Sequence, residues 1–416
     1  MSDRNENRPG YKKTKIGWIP EEWEFKPLEC ICAKVTDGTH DTPQRKSTGI
    51  PLLTTKNLRN GKLVIDDDYY ITKYDFIQIN KRSEVSANDI LYGMIGTIGS
   101  PVRIEKILKP FAVKNMAILK FGTYTSESIW TYFFLSSPRF QRYIDRQLSG
   151  NAQKFISLGF VRNLKIPLPS LPEQKKIAEI LSTWDRAIEQ VGKLIDAKQR
   201  LKKGLMQKLL TGRMRFPEFG KPASKKDKMP KGWKEALLGD IVEVNMGTSP
   251  PSESYNKTNF GLPLIQGNAD IVGRKTAPTR WTSEITTECF PGELIMTVRA
   301  PVGEIAKSVH HACIGRGVCV IRPGKDANSN FIYQLLLKYE TKWKRFGQGS
   351  TFTCLTGKDV RNYKLSVPHE SEQHRIAAVL ESCDREIELL RKKQAALKQQ
   401  KKGSMQKLLT GEVRVK

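Results

Sequence analysis

The sequence predicts an α+β protein, with two β-rich mixed halves separated by two long antiparallel helices that form a coiled coil, related by an internal pseudo-twofold repeat. Three observations predict it. Shifted by 199 residues, segment 173–212 lies over 372–411 without a gap and with 21 of 40 positions identical, where composition alone gives about one in sixteen. Inside both copies apolar residues return at alternating steps of four and three. Ahead of each copy, short apolar runs alternate with Gly, Pro, Asn and Asp turns, the pattern of a β-rich domain.

Taken in chain order, residues 1–165 form the first globular half. PLLTT, KLVID and FAVKNMAILKF read as strands, and 127–148 reads as helix. Residues 166–216 form the central long helix. Pro172 sits just inside its start, where a missing N–H costs nothing, and Gly212 suits its C-terminal end. Its seam is Ile177, Leu181, Trp184, Ile188 and Val191, a run of a and d positions. Gly192 and Gly204 weaken the helix locally and allow a bend. Residues 217–232, rich in Lys, Pro, Ser and Gly, read as a linker. Residues 233–365 form the second globular half, with LPLIQG, ELIMTV and ACIGRGVCVI as strands and 328–346 as helix. Residues 366–416 form the C-terminal long helix, with the seam Ile376, Leu380, Cys383, Ile387 and Leu390 and its end at Gly411. Each helix covers about 37 residues, or about 55 Å at 1.5 Å per residue. Stripes this long need a partner, and the economical one is the other copy.

The repeat extends upstream of the helices. Val161, Arg162, Asn163, Lys165 and Pro169 correspond to Val360, Arg361, Asn362, Lys364 and Pro368. WIPEEW (18–23) echoes KMPKGW (228–233), and KKGxMQKLLTG closes both tails. Convergence on a shared helical pattern does not copy such a string, so the chain arose by duplication.

Lys and Arg number 70 against 43 Asp and Glu, a net +27. An excess of this size points to a polyanion, most commonly nucleic acid. No stretch approaches the roughly 20 apolar residues that span a bilayer. The polar N-terminal segment has no apolar signal core, so a cytoplasmic location without membrane association is expected. Seven irregularly spaced cysteines and five histidines match neither a disulfide framework nor a zinc pattern, so no metal site is expected.

Catalytic patterns are missing. There is no GxxxxGK[ST], GxSxG or HExxH, and no Asn/Asp-Pro-Pro-aromatic loop of an adenine methyltransferase. Gly93, Gly96 and Gly99 are spaced as tight turns are, and the second half has RAPVG instead. What remains is binding by loops that mix basic, amide and hydroxyl side chains. The DNA-binding candidates are Thr36, Asp37, Thr39, His40, Lys56, Asn57, Lys114, Asn115, Asn151 and Lys154 in the first half. In the second they are Thr248, Ser249, Gln266, Asn268, Arg299, Arg316, Gln348 and Thr351. Arg and Lys take guanine edges or phosphates, and Asn and Gln take adenine edges. Two readings from other classes stay open. One is a nuclease using Asp66, Asp67 and Asp68 with a divalent metal, and the other is a helical scaffold that binds no DNA.

The chain resembles, over its full length, the specificity subunit of type I restriction–modification systems. The resemblance rests on the duplicated long helices, each opened by a PxxEQxxI-like segment (PSLPEQKKI at 169–177, PHESEQHRI at 368–376) and closed by MQKLLTG. It also rests on the WxP-like segment at 18–23 and its echo at 230–233. Ser371 stands where the first copy has Pro172. The resemblance implies that each variable half is a target recognition domain reading one part of a bipartite, asymmetric double-stranded DNA sequence. It implies that the antiparallel helices dock two modification subunits, which use S-adenosylmethionine to methylate adenine N6. Two restriction subunits would add translocation and cleavage with ATP and Mg2+. The chain itself would carry no cofactor and would not be an enzyme.

Overall fold

A computed structural model describes residues 5–66, 69–148, 155–224, 229–346 and 354–415. The chain divides into two compact units, Met1–Gly192 with Lys393–Lys416, and Lys193–Lys392. The long helices, Leu171–Leu209 and Glu370–Leu408, are 39 residues each, and the division falls inside both. The expected five-segment division set the helices apart from the globular halves. Each compact unit takes the first part of one helix and the last part of the other. The reason is burial. Ile177 and Leu181, with Met405, Leu408 and Leu409, belong to the same core as Trp23, Trp130 and Phe134. Ile376 and Leu380, with Leu209 and Leu210, belong to the core of Trp233, Phe331 and Trp343.

Within each unit the two helical pieces run antiparallel. In the first, Asp185 receives the Lys401 ammonium at 2.6 Å and the Ile188 carbonyl accepts from Gln394. In the second, Lys202 reaches Asp384 at 2.6 Å and Lys198 reaches Glu386 at 2.5 Å. Of the predicted seam, Val191, Cys383 and Ile387 are buried, while Trp184, Ile188 and Leu390 are half-buried. A Cβ on Gly192 would stand 3.1 Å from Gln394 Nε2, so this glycine allows a close approach.

The copied strings now have physical reasons. Glu173 is buried and accepts from Trp23 Nε1 at 3.1 Å and from Arg414 at 2.7 and 2.8 Å. Glu372 accepts from Trp233 Nε1 at 3.2 Å and from Arg215 at 2.9 and 2.7 Å. Gln174 and Gln373 donate to the carbonyls of Pro169 and Pro368. Gly212 (φ 64) and Gly411 (φ 68) take the left-handed conformation that ends a helix. A Cβ there would meet Pro230 at 2.0 Å and Pro20 at 2.4 Å. The sequence reading ended the repeat at these glycines and so missed Arg215 and Arg414. Each stands three residues beyond its glycine, and that shared offset was the available signal.

The sheets repeat as well. The first unit has a four-stranded antiparallel sheet in the order Val102–Arg103, Ile90–Gly93, Met116–Lys120, Lys34–Asp37. The second unit repeats it as Ile305–Lys307, Leu294–Thr297, Val318–Pro323, Val242–Met246, with two further short strands on the Ile305–Lys307 side. Beside it, each unit carries a parallel pair: Ile50–Leu53 with Ala112–Val113, and Leu262–Ile265 with Ala312–Ile314.

Candidate nucleic-acid interface

In a parallel pair both strands finish at the same end, so the loops that follow them emerge together. In the first unit these are the loop after Leu53 and the turn at Lys114 and Asn115. In the second they are the loop after Ile265 and the turn at Gly315 and Arg316. One hydrogen bond sets the equivalence: Lys114 N donates to Leu53 O, and Gly315 N to Ile265 O, both at 2.8 Å. A third loop joins each group. Gly38 N donates to Met116 O, and Gly247 N to Val318 O. A Cβ on Gly38 would lie 2.3 Å from Val113 O, and one on Gly247 2.3 Å from Gly315 O. Only glycine allows the loops to meet this closely.

In the first unit Asp37 is buried and holds two exposed cationic or polar heads. Its Oδ2 lies 2.7 Å from His40 Nε2, and its Oδ1 accepts from Arg82 at 3.1 Å. His40 Nδ1 lies 3.0 Å from Asn115 Oδ1, and Lys114 donates to Thr42. His40, Lys114 and Asn115 are thus brought together. Thr36, Thr39 and Asn57 are buried. Asn57 accepts from Thr54 N and donates to Val64 O, both at 2.8 Å, which fixes its own turn. These three face the framework, because a strand end or a turn needs its polar groups satisfied before a ligand does. Lys56 is exposed on the same turn. Arg82, at the end of helix Lys73–Ser83, was missed by the sequence reading; nothing local marks a helix-end arginine as part of a loop cluster.

In the second unit Ser249 Oγ accepts from Arg316 N at 3.1 Å and Arg316 Nε at 3.3 Å. Gln266 Nε2 donates to the Tyr255 hydroxyl at 2.9 Å, which donates to Pro250 O at 3.0 Å. Thr248 is exposed, and its carbonyl accepts from Thr286. Arg299 is exposed one residue beyond Val298, whose N–H donates to Gly317 O, so it borders the same cluster. Asn268 is turned aside and bonds Glu304. Tyr255 was missed, its role depending on a fold-back to Pro250. Asn151, Lys154, Gln348 and Thr351 lie outside the described residues.

The other motifs are accounted for locally. A Cβ on Gly93 would lie 2.2 Å from Thr97 O, and Gly96 and Gly99 have φ of 72° and 76°, which makes the glycine set a tight turn. Asp66 pairs with Arg59 at 2.5 Å, and Asp67 and Asp68 lie outside the described residues. Among the described residues no three His, Cys, Asp or Glu side chains are grouped to hold a metal ion, and no helix is long and apolar enough to cross a membrane. Burial pushes the thiols of Cys32, Cys289, Cys319 and Cys383 up, away from a reactive thiolate.

Comparison with known proteins adds to this geometry. The family described as type I restriction modification DNA specificity domain matches twice, at residues 20–199 and 230–399. A protein of Methanocaldococcus jannaschii named as the MjaX specificity subunit of a type I restriction enzyme is 32% identical over 421 residues, covering 98% of this chain and 97% of its own. The MjaVIII specificity subunit of the same organism is 26% identical, covering 96% and 94%. Two solved structures share the fold. The type I restriction–modification S subunit from M. genitalium has a TM-score of 0.60 at 17% identity, covering 93% of this chain and 96% of that one. A chain from a study of assembly and conformational transition of a type I R-M system has a TM-score of 0.55 at 21% identity, covering 95% and 99%.

Proposed function

The chain belongs to the type I restriction modification DNA specificity family, and from that premise we propose that it is the sequence-specific DNA-binding subunit of a type I restriction–modification complex. It selects the target and leaves the chemistry to its partners. Each unit reads one part of a bipartite, asymmetric sequence in double-stranded DNA. Two modification subunits bind S-adenosylmethionine and methylate adenine N6 within that target. Two restriction subunits use ATP and Mg2+ for translocation and cleavage.

The observation that carries this reading is a framework repeated down to single hydrogen bonds, with unlike side chains at its loop end. Glu173 and Glu372, Gly38 and Gly247, and Lys114 N and Gly315 N do the same work in the two units. Where one unit has His40, Lys114 and Asn115, the other has Arg316, Ser249 and Gln266. Equal scaffolds with different donors and acceptors suit two different half-sites, and a net +27 suits the phosphates between them.

Methylome sequencing of cells that carry this chain with its modification subunit tests the reading. A bipartite N6-methyladenine motif with a nonspecific spacer is expected. The purified chain alone, incubated with labelled S-adenosylmethionine and target DNA, should incorporate no methyl above background. A continuous motif, or methyl transfer by the chain alone, would refute it.

A further inference from the structure

Taken with the proposed function, on which this inference rests, the loop end of the second unit is specific enough to name bases. Arg316 is exposed, yet Ser249 Oγ holds both its backbone N–H and its Nε. That orients the guanidinium and leaves its two terminal nitrogens with no partner among the described residues. Two parallel N–H groups presented end-on match the O6 and N7 acceptors of guanine in the major groove.

Gln266 is fixed by a directional chain. The Tyr255 hydroxyl donates its proton to Pro250 O, so toward Gln266 it only accepts, and the nitrogen of the Gln266 amide must face it. Gln266 Oε1 therefore turns away from Tyr255 and accepts from no described residue, while Nε2 keeps a second N–H. One acceptor beside one donor is the pattern that meets N6 and N7 of adenine.

Ser249 and Gln266 flank a single residue. Ser249 Oγ and Gln266 Cγ lie 3.2 and 3.3 Å from the point a Gly315 Cβ would occupy. Arg316 follows Gly315 directly and is bonded to Ser249, so its side chain and that of Gln266 rise from one loop cluster. A Cβ on Gly317 would lie 2.0 Å from Gln266 O, so only glycine there lets the two loops approach this closely.

We infer that the second unit reads a guanine through Arg316 and, in the same half-site, an adenine through Gln266, with Ser249 and Tyr255 as positioning residues. The test is methylome sequencing of cells expressing the full chain with its modification subunit, as parent and as Arg316→Ala, Arg316→Lys, Ser249→Ala and Gln266→Ala. Arg316→Ala should make one G·C position degenerate, with discrimination there falling roughly 5- to 150-fold. Arg316→Lys should relax the same position, because a point charge cannot replace the fork. Ser249→Ala should relax it less. Gln266→Ala should relax one A·T position in the same half-site. Where Arg316→Ala abolishes methylation, competition of duplexes differing only at that guanine for the purified complex reads the same quantity. Loss of the preference supports the inference and retained preference overturns it. A bipartite parent motif that stays strict in Arg316→Ala overturns this inference alone. So does a relaxed position that is not guanine, or one in the other half-site from that of Gln266→Ala. A parent motif that is not bipartite overturns the reading beneath it and this inference together.

Discussion

Arg215→Ala should destabilise the second unit severely. The Arg215 and Glu372 side chains are 5% and 3% exposed, and two hydrogen bonds of 2.9 and 2.7 Å join them. Without the guanidinium, the Glu372 carboxylate keeps, among the described residues, only the Trp233 N–H at 3.2 Å. Breaking one side of a buried pair costs about 3–5 kcal/mol, since a charge is left without compensation. For a unit of 200 residues, Lys193–Lys392, each kcal/mol moves the midpoint by about 2–4 °C, so a fall on the order of 10 °C is expected. The first unit supplies an internal comparison. Arg414 is 32% exposed and also meets Glu22 at the surface, so Arg414→Ala should cost about half as much. The double variant Arg215→Met, Glu372→Gln removes both charges and keeps an acceptor for Trp233, so it should recover most of the loss. Thermal and urea unfolding of the purified chain and its variants measure this. A loss below about 1 kcal/mol for Arg215→Ala, or a double variant as unstable as the single, would refute the reasoning.

Two further predictions concern the cluster in the first unit and a half-buried lysine. Asp37→Asn withdraws the carboxylate shared by His40 and Arg82, and should weaken selection in one half-site by roughly tenfold while leaving the half read by Arg316 and Gln266 intact. Methylome sequencing of that variant decides it, and a change in both halves counts against separate readout. Burial, with Lys342 and Arg213 nearby, pushes the Lys338 ammonium down to about 8. The unfolded chain keeps its proton to about 10.4, so between those values it binds more protons than the native state and stability rises with pH. Lys338→Met should raise stability at pH 7 and flatten that rise, and unfolding midpoints from pH 7 to 10 that keep the parental slope would refute it.

Much of the fold was legible because duplication printed it twice. The helix seams, Gly212 and Gly411, and the Glu-Gln pair opening each long helix are local or periodic signals, and they occur in both copies. The repeat marks Arg215 and Arg414 as a matched pair, but their partners were not legible. Arg215 lies 157 residues from Glu372 and Arg414 lies 241 from Glu173, and no spacing rule connects such distances. Which core each end of a long helix joins was not legible for a related reason. A strict a/d stripe says that a helix needs an apolar partner, and it is silent on whether Ile177 meets another helix or Trp23 in a globular core.

At the loop ends the limit is sharper. Composition placed Thr36, Asn57, His40 and Arg316 in one class, polar residues of turns, and their difference is burial. Asn57 closes its own turn with both ends of its amide, while Arg316 is held by Ser249 with its terminal nitrogens outward. The sequence by itself determined that there are two copies of one framework, a strongly basic surface and helices that must pair, because these follow from periodicity, identity and charge count. Only the tertiary structure decided which polar side chains hold the loops together and which keep unused hydrogen-bonding groups at the loop ends. A side chain's hydrogen-bonding capacity is spent on whatever neighbours the fold brings within about 3 Å, and those neighbours come from three loops far apart in the chain.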